Sequence, residues 1–224
     1  MLKFIEPILH ILYLITILIM GGYLVRNSVG NKLYKSFGFF ALTLALGDGI
    51  YLLPRMYAIL TTGIEENMNI IGWGRMGNSI MITILFLMIY DIYSFRYSKN
   101  KNIKLEKTLI GLAMIRVILC LLPWNKWFEL EPSPLFALLR FIPLGIIGLF
   151  LIILIYYHSN KYEDKNFKLI MLATFIALLF AEPRMYFIEG SAVVIQSILR
   201  SMSFITIIIV GYKELRDINV LSRF

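Results

Sequence analysis

The sequence predicts an all-α fold of seven membrane-crossing helices, and three observations carry that expectation. Hydrophobic residues fill 59% of the 224 positions and mean hydropathy is +0.77, against about 45–50% apolar residues in soluble domains. The apolar residues gather in runs approaching the ~20 residues that a bilayer-spanning helix needs. The stretches between those runs alternate in the sign of their charge.

In order, the spans are expected at 5–25, 36–60, 69–93, 107–123, 134–157, 167–187 and 191–212, forming one transmembrane domain over 1–224. The first run is followed by Gly21-Gly22-Tyr23 and lacks a small-residue cleavage site, so it reads as a retained helix. The stretch 26–35 carries Arg26, Lys32 and Lys35, whereas 61–68 carries Glu65 and Glu66 and no base. Arg96, Lys99, Lys101, Lys104 and Lys107 make 94–107 strongly basic. Glu129 and Glu131 outweigh Lys126 in 124–133, Lys161, Lys165 and Lys168 mark 158–168, and Lys213, Arg216 and Arg223 follow span seven. Fourteen of the 22 Lys and Arg thus fall on one set of connections, and only Lys3 and Lys126 on the other. The positive-inside rule then puts the N-terminus outside and the C-terminus in the cytoplasm. The basic stretch 96–107 is expected to lie against anionic lipid headgroups.

The remaining six basic residues are arginines inside spans: Arg55, Arg75, Arg116, Arg140, Arg184 and Arg200. At ~1.5 Å per residue all six fall in the outer half of the membrane or near its midplane. Ions at that depth are expensive unless paired or wetted, which makes them functional candidates. Asp48, Tyr51 and Arg55 share a helix face, as do His10, Tyr13 and Thr16 on span one and Arg75, Asn78 and Ser79 on span three. Gln196, Arg200 and Ser203 repeat that spacing on span seven, and Glu182, Tyr186 and Glu189 lie beside Arg184 on span six. Six arginines face two nearby carboxylates, Asp48 and Glu182, so these faces are expected to converge on an outward-opening cavity that holds an anion. Guanidinium groups recognise carboxylate and phosphate bidentately and stay charged at any relevant pH. The competing expectation is a structural network in which the arginines bond backbone carbonyls.

Two further features bear on mechanism. Pro54 and Pro183 should kink spans two and six, freeing carbonyls near Ile50 and Leu179. Asn31-Lys32 precedes Pro54 by the same 23 residues that separate Asn160-Lys161 from Pro183, and PRMY-x-I recurs at 54–59 and 183–188. This suggests a parallel repeat, units 5–93 and 134–212 joined by a connector helix at 107–123. The arrangement resembles that of the sugar-transporting SWEET proteins in topology alone, for no Pro-Gln dipeptide occurs. Trp73, Trp124, Trp127, Tyr57 and Tyr186 fit an aromatic belt at the outer interface; the run Pro123–Trp127 could instead form a lid.

These features favour a transporter for a small anionic ligand or phospholipid headgroup, with Asp48, Tyr51, Arg55, Arg75, Asn78, Arg116, Arg140, Glu182, Arg184, Tyr186 and Arg200 as its binding residues. Leu46-Gly47-Asp48 followed by Leu52-Leu53-Pro54 resembles the glycine-aspartate segment of lysoplasmalogenase-like membrane hydrolases. That resemblance implies an intramembrane lipid hydrolase with Asp48, or Glu182, as the catalytic carboxylate. It covers about fourteen residues, and the family's following histidine-bearing helix is absent. A third expectation is a seven-helix sensor that acts through a separate partner, since the tail after span seven is short. Enzyme motifs such as HExxH, GxSxG or a Gly-rich phosphate loop do not occur, and span seven has no central lysine for retinal. One cysteine, Cys120, and two histidines leave no material for a disulfide or a Cys/His metal site, and no cofactor is expected. Membrane lipids and the anion are the expected partners, nucleic acid is not, and a homo-oligomer stays open. The Ile, Lys, Asn and Tyr bias points to an AT-rich bacterial genome, hence a bacterial cytoplasmic membrane.

Overall fold

The computed structural model describes residues 2–97, 102–181 and 191–221, with side chains from 6–97, 102–181 and 198–219. Among these residues the chain forms seven α-helices, one 3-10 turn and no strand. They are α1 (Leu2–Asn27), α2 (Lys32–Leu60), α3 (Met68–Tyr97), α4 (Ile103–Leu121), the turn Pro123–Asn125, α5 (Pro134–Lys161), α6 (Lys165–Leu179) and α7 (Ser191–Leu221).

Each expected apolar segment is a helix, and most run past their apolar cores because polar residues close their ends. The side chains of Asn31, Asn102, Ser133 and Asp164 accept from backbone N–H groups in the first turns of α2, α4, α5 and α6, supplying partners for donors that a helix start leaves unpaired. Span six differs most. Its described helix ends at Leu179, four residues before Pro183, although the sequence suggested a helix continuing kinked to 187. Pro183 and the second PRMY copy lie outside the described residues. Pro54, by contrast, sits within an unbroken α2. The freed Ile50 carbonyl faces α3 at Gly74, where a Cβ would come within 2.7 Å of the Ile50 oxygen. Only a residue without a Cβ allows that approach.

Four helices, Glu6–Asn27, Lys32–Leu60, Met68–Tyr97 and Pro134–Lys161, are long and apolar enough to cross a membrane. Helix α4 falls short because Lys104, Glu106, Lys107 and Arg116 share its 19 residues. Helix α6, with 15 residues, is about 22 Å long, less than the ~30 Å hydrocarbon core. The first seven residues of α7 are described in backbone alone.

Consecutive helices pack side by side, and α7 closes the bundle against both α1 and α2, while α3 also meets α5. Where α2, α3 and α7 face one another, Phe40, Phe86 and Phe204 meet in edge-on contacts, with Phe40–Phe204 at 5.8 Å and Phe86–Phe204 at 6.3 Å between centroids. Phe37, Leu44, Ile82, Ile89, Ile207 and Ile208 extend this apolar layer, each at most 3% exposed. Polar clusters lie on either side of it along the same three helices. The proposed equivalence of Asn31 and Asn160 places them differently: Asn31 caps α2, whereas Asn160 lies in the last turn of α5, four residues before the α6 cap at Asp164.

Candidate functional site

The centre of the outer-half cluster is Asp48, 5% exposed on α2. The Tyr13 hydroxyl of α1 donates to its Oδ2, and Asn78 Nδ2 of α3 donates to its Oδ1 at 2.9 Å and to the Gly47 carbonyl at 2.9 Å. Arg200 of α7 approaches Oδ1 to 3.8 Å. Four helices therefore bring their polar residues to one carboxylate. Arg55, seven residues on along α2, belongs to a separate group. Its Nε donates to Glu6 at 2.9 Å and its Nη1 reaches the Tyr51 hydroxyl at 3.5 Å. His10 lies 3.5 Å from the same Glu6 carboxylate.

Arg200 is the unusual member. Its side chain is 9% exposed, yet among the described residues its guanidinium makes the ion pair with Asp48 and no hydrogen bond. At 3.8 Å that contact is Coulombic rather than a hydrogen bond. This guanidinium faces a carboxylate whose two oxygens accept from Tyr13 and Asn78.

The neighbouring position on α3 opens a second cluster of a different kind. Arg116 of α4, 0% exposed, donates to the Ser79 carbonyl, to Thr83 Oγ1, to Ser79 Oγ at 3.3 Å and to the Arg140 carbonyl at 3.2 Å. Arg140 of α5, 2% exposed, donates to Asn125 Oδ1 and stacks 4.2 Å over the Trp127 ring. Asn125 in turn closes the end of α4 by donating to the Leu119, Cys120 and Leu122 carbonyls at 2.7, 3.2 and 2.7 Å, and Trp127 Nε1 adds a bond to the Cys120 carbonyl at 2.8 Å. The run Pro123–Trp127 is thus a plug over the end of α4. Arg75 donates to the Glu129 carbonyl at 2.8 Å, tying α3 to the connection beyond that plug.

The arginines therefore divide. Arg200 joins Asp48 and Arg55 joins Glu6 and Tyr51, while Arg75 and Arg116 bond backbone carbonyls, as the competing structural expectation had it, and Arg140 bonds the Asn125 side chain. Glu182, Arg184, Tyr186 and Glu189 lie outside the described residues. Thr16 and Ser203 bond carbonyls of their own helices. Trp73 and Trp124 are exposed as a belt requires, but Trp127 is buried.

A third cluster went unread in the sequence. At the basic end, Arg96 binds Asp164 at 2.8–2.9 Å and Glu214 at 3.5 Å, beside a cavity of about 660 Å³ lined by residues including Phe95, Tyr97, Tyr162 and Lys165. Its signal lay in acids embedded in basic connections: Asp164 among Lys161, Lys165 and Lys168, and Glu214 between Lys213 and Arg216.

No protein-family model, curated protein or solved structure matches this chain. Neither the SWEET-like topology nor the lysoplasmalogenase-like segment gains support from them, so the reading of function rests on the residues themselves.

Proposed function

We propose that the chain is a seven-span protein of the cytoplasmic membrane, N-terminus outside, that binds a small anion or a phosphate-bearing lipid headgroup at Arg200 and Asp48 and carries it across. The observation behind this reading is the Arg200 guanidinium, nine-tenths buried and without a hydrogen bond among the described residues. A carboxylate or phosphate group matches its unused fork of donors. Asp48, held by Tyr13 and Asn78, is the counter-charge beside Arg200 when the guest is absent. Arg55 and Tyr51, with Glu6, form the outer rim. Arg184, Glu182 and Tyr186 complete the site in this proposal. Arg75, Arg116 and Arg140 hold the bundle in shape. The parallel repeat is part of this proposal: α1 against α7 has a counterpart in α5 against α3, although α2 against α7 has none of like extent between α6 and α3.

The test has two stages. Native mass spectrometry of protein in nanodiscs, offered inorganic phosphate, acetate or phosphatidylglycerol, should show an adduct that Arg200→Gln loses. Sealed vesicles carrying the protein should then accumulate that anion. Turnover to a new product without accumulation would instead favour the hydrolase with Asp48 as base, and binding with neither would favour a sensor. No adduct in wild type would remove the anion reading.

A further inference from the structure

The helices that build the Asp48 site carry a second polar junction at their other end. Tyr34 of α2 and Arg200's helix mate Glu214 each stand 14 residues from Asp48 and Arg200, and Arg96 stands 18 from Asn78. Those offsets are about 21, 21 and 27 Å along the axes, and 14 and 18 residues return close to the same face of a 3.6-residue helix. Between the two junctions lies the Phe40–Phe86–Phe204 layer.

We infer that Arg96, Asp164 and Glu214, assisted by Tyr34, Tyr97 and Asn166, form a releasable ionic latch that keeps the basic end of the bundle closed beneath that aromatic layer. Its partners come from α2, α3, the α5–α6 turn, α6 and α7. Arg96 of α3 donates to Asp164 of the α5–α6 turn at 2.9 Å, and Tyr97 adds a bond to the same oxygen at 3.1 Å. Glu214 of α7 accepts from Asn166 of α6 at 2.6 Å and from Tyr34 of α2 at 3.5 Å. The two arms differ. The Asp164 arm is tight, and Asp164 is also fixed as the cap of α6. The Glu214 arm meets both Arg96 and Tyr34 only at 3.5 Å, so the loosest seam runs between α7 and the α2–α3 pair.

Two features make the latch releasable. The Arg96 side chain is 32% exposed although the Asp164 and Glu214 carboxylates are 10% and 9% exposed, and the open cavity beside it gives water access to the ions. Water can thus replace the arginine's partners as the junction opens. By contrast, the apolar layer above has no polar partner to exchange. Because Arg200 and Glu214 sit on one helix, a shift of α7 at the outer site is transmitted directly to the loose arm. The assignment of this latch as the inner gate rests on the proposed transport function; the latch itself rests on the geometry of the basic end.

Thiol labelling reads the latch without any ligand. Ser94 is 2% exposed on α3, next to the junction, and its hydroxyl has no hydrogen-bond partner among the described residues, so Ser94→Cys is a nearly isosteric reporter. The native Cys120, 0% exposed at the far cluster, reports on the rest of the fold in the same molecule. In nanodiscs with a polar maleimide, read by peptide mass spectrometry, both thiols should react slowly. Adding Asp164→Asn with Glu214→Gln should speed the Ser94→Cys thiol roughly tenfold or more while Cys120 stays protected; Glu214→Gln alone is the milder lesion with the same pattern. An unchanged rate at position 94 would overturn the latch, and so would equal acceleration of both thiols, which would mark the junction as general scaffolding. Labelling and anion binding can fail independently, so the latch and the proposed site are tested separately.

Discussion

Asn78 and Ser79 are consecutive residues of α3, and they enter two clusters that handle buried arginine in opposite ways. Ser79 belongs to a knot where Arg116 and Arg140 spend their donors on the Ser79 and Arg140 carbonyls, Thr83 and Asn125. Asn78 belongs to a cluster where the carboxylate is fully engaged and Arg200 is not. Burial alone therefore does not mark a ligand site, since the more deeply buried arginines are the satisfied ones. What distinguishes the Asp48 cluster is a guanidinium that meets its carboxylate at 3.8 Å with no hydrogen bond among the described residues. Scaffold arginines and ligand arginines should then respond differently to substitution.

The largest effect is expected at the knot. Arg116→Leu removes the donor shared by several buried acceptors and should lower stability by about 3–5 kcal/mol, read as unfolding in mild detergent. Arg116→Lys should restore only part of this, because one ammonium does not span Ser79, Thr83 and the Arg140 carbonyl together. Next comes the α2–α3 contact. Gly74→Val drives side-chain atoms into the Ile50 carbonyl and should cost about 1–3 kcal/mol, measured the same way. Asp48→Asn keeps an acceptor for Tyr13 and Asn78 but strips Arg200 of its counter-charge. It should cost about 1–3 kcal/mol and disturb anion binding as well. The smallest effect on stability belongs to Arg200→Gln, about 1–2 kcal/mol, since Asp48 loses its counter-charge but keeps its bonds to Tyr13 and Asn78. A large loss of stability there would erase the distinction between the clusters.

Much of this arrangement was legible in the sequence, for identifiable reasons. Helix existence followed from uninterrupted apolar runs, and the helical spacing of Tyr51 and Arg55 placed those two in contact. Tyr13 was found on its face because an isolated polar stripe in an apolar helix has few places to go. The division of the arginines was not legible. Whether Arg116 meets a carbonyl or an anion depends on which backbone lies opposite, and Ser79 differs from Asn78 only by the 100° turn of one residue. Asn125 escaped notice because a side chain closing a helix end looks, in sequence, like any loop asparagine. The Arg96 junction was hidden for a related reason: counting basic residues per connection averages away the single acids that pair with them. Position 160 shows the limit of repeat matching, since equal spacing placed Asn31 and Asn160 at different points of their helices.

The most direct measurement is the anion-dependent thermal shift of wild type, Arg200→Gln and Arg116→Gln side by side, in nanodiscs, with inorganic phosphate, acetate and phosphatidylglycerol as probes. The predicted result is a stabilisation of wild type that Arg200→Gln loses while its starting midpoint falls only modestly. Arg116→Gln should begin far lower yet keep the shift. If Arg200→Gln retained the anion shift, or if Arg116→Gln alone abolished it without lowering the midpoint, the roles assigned to the two clusters would be reversed and the account contradicted.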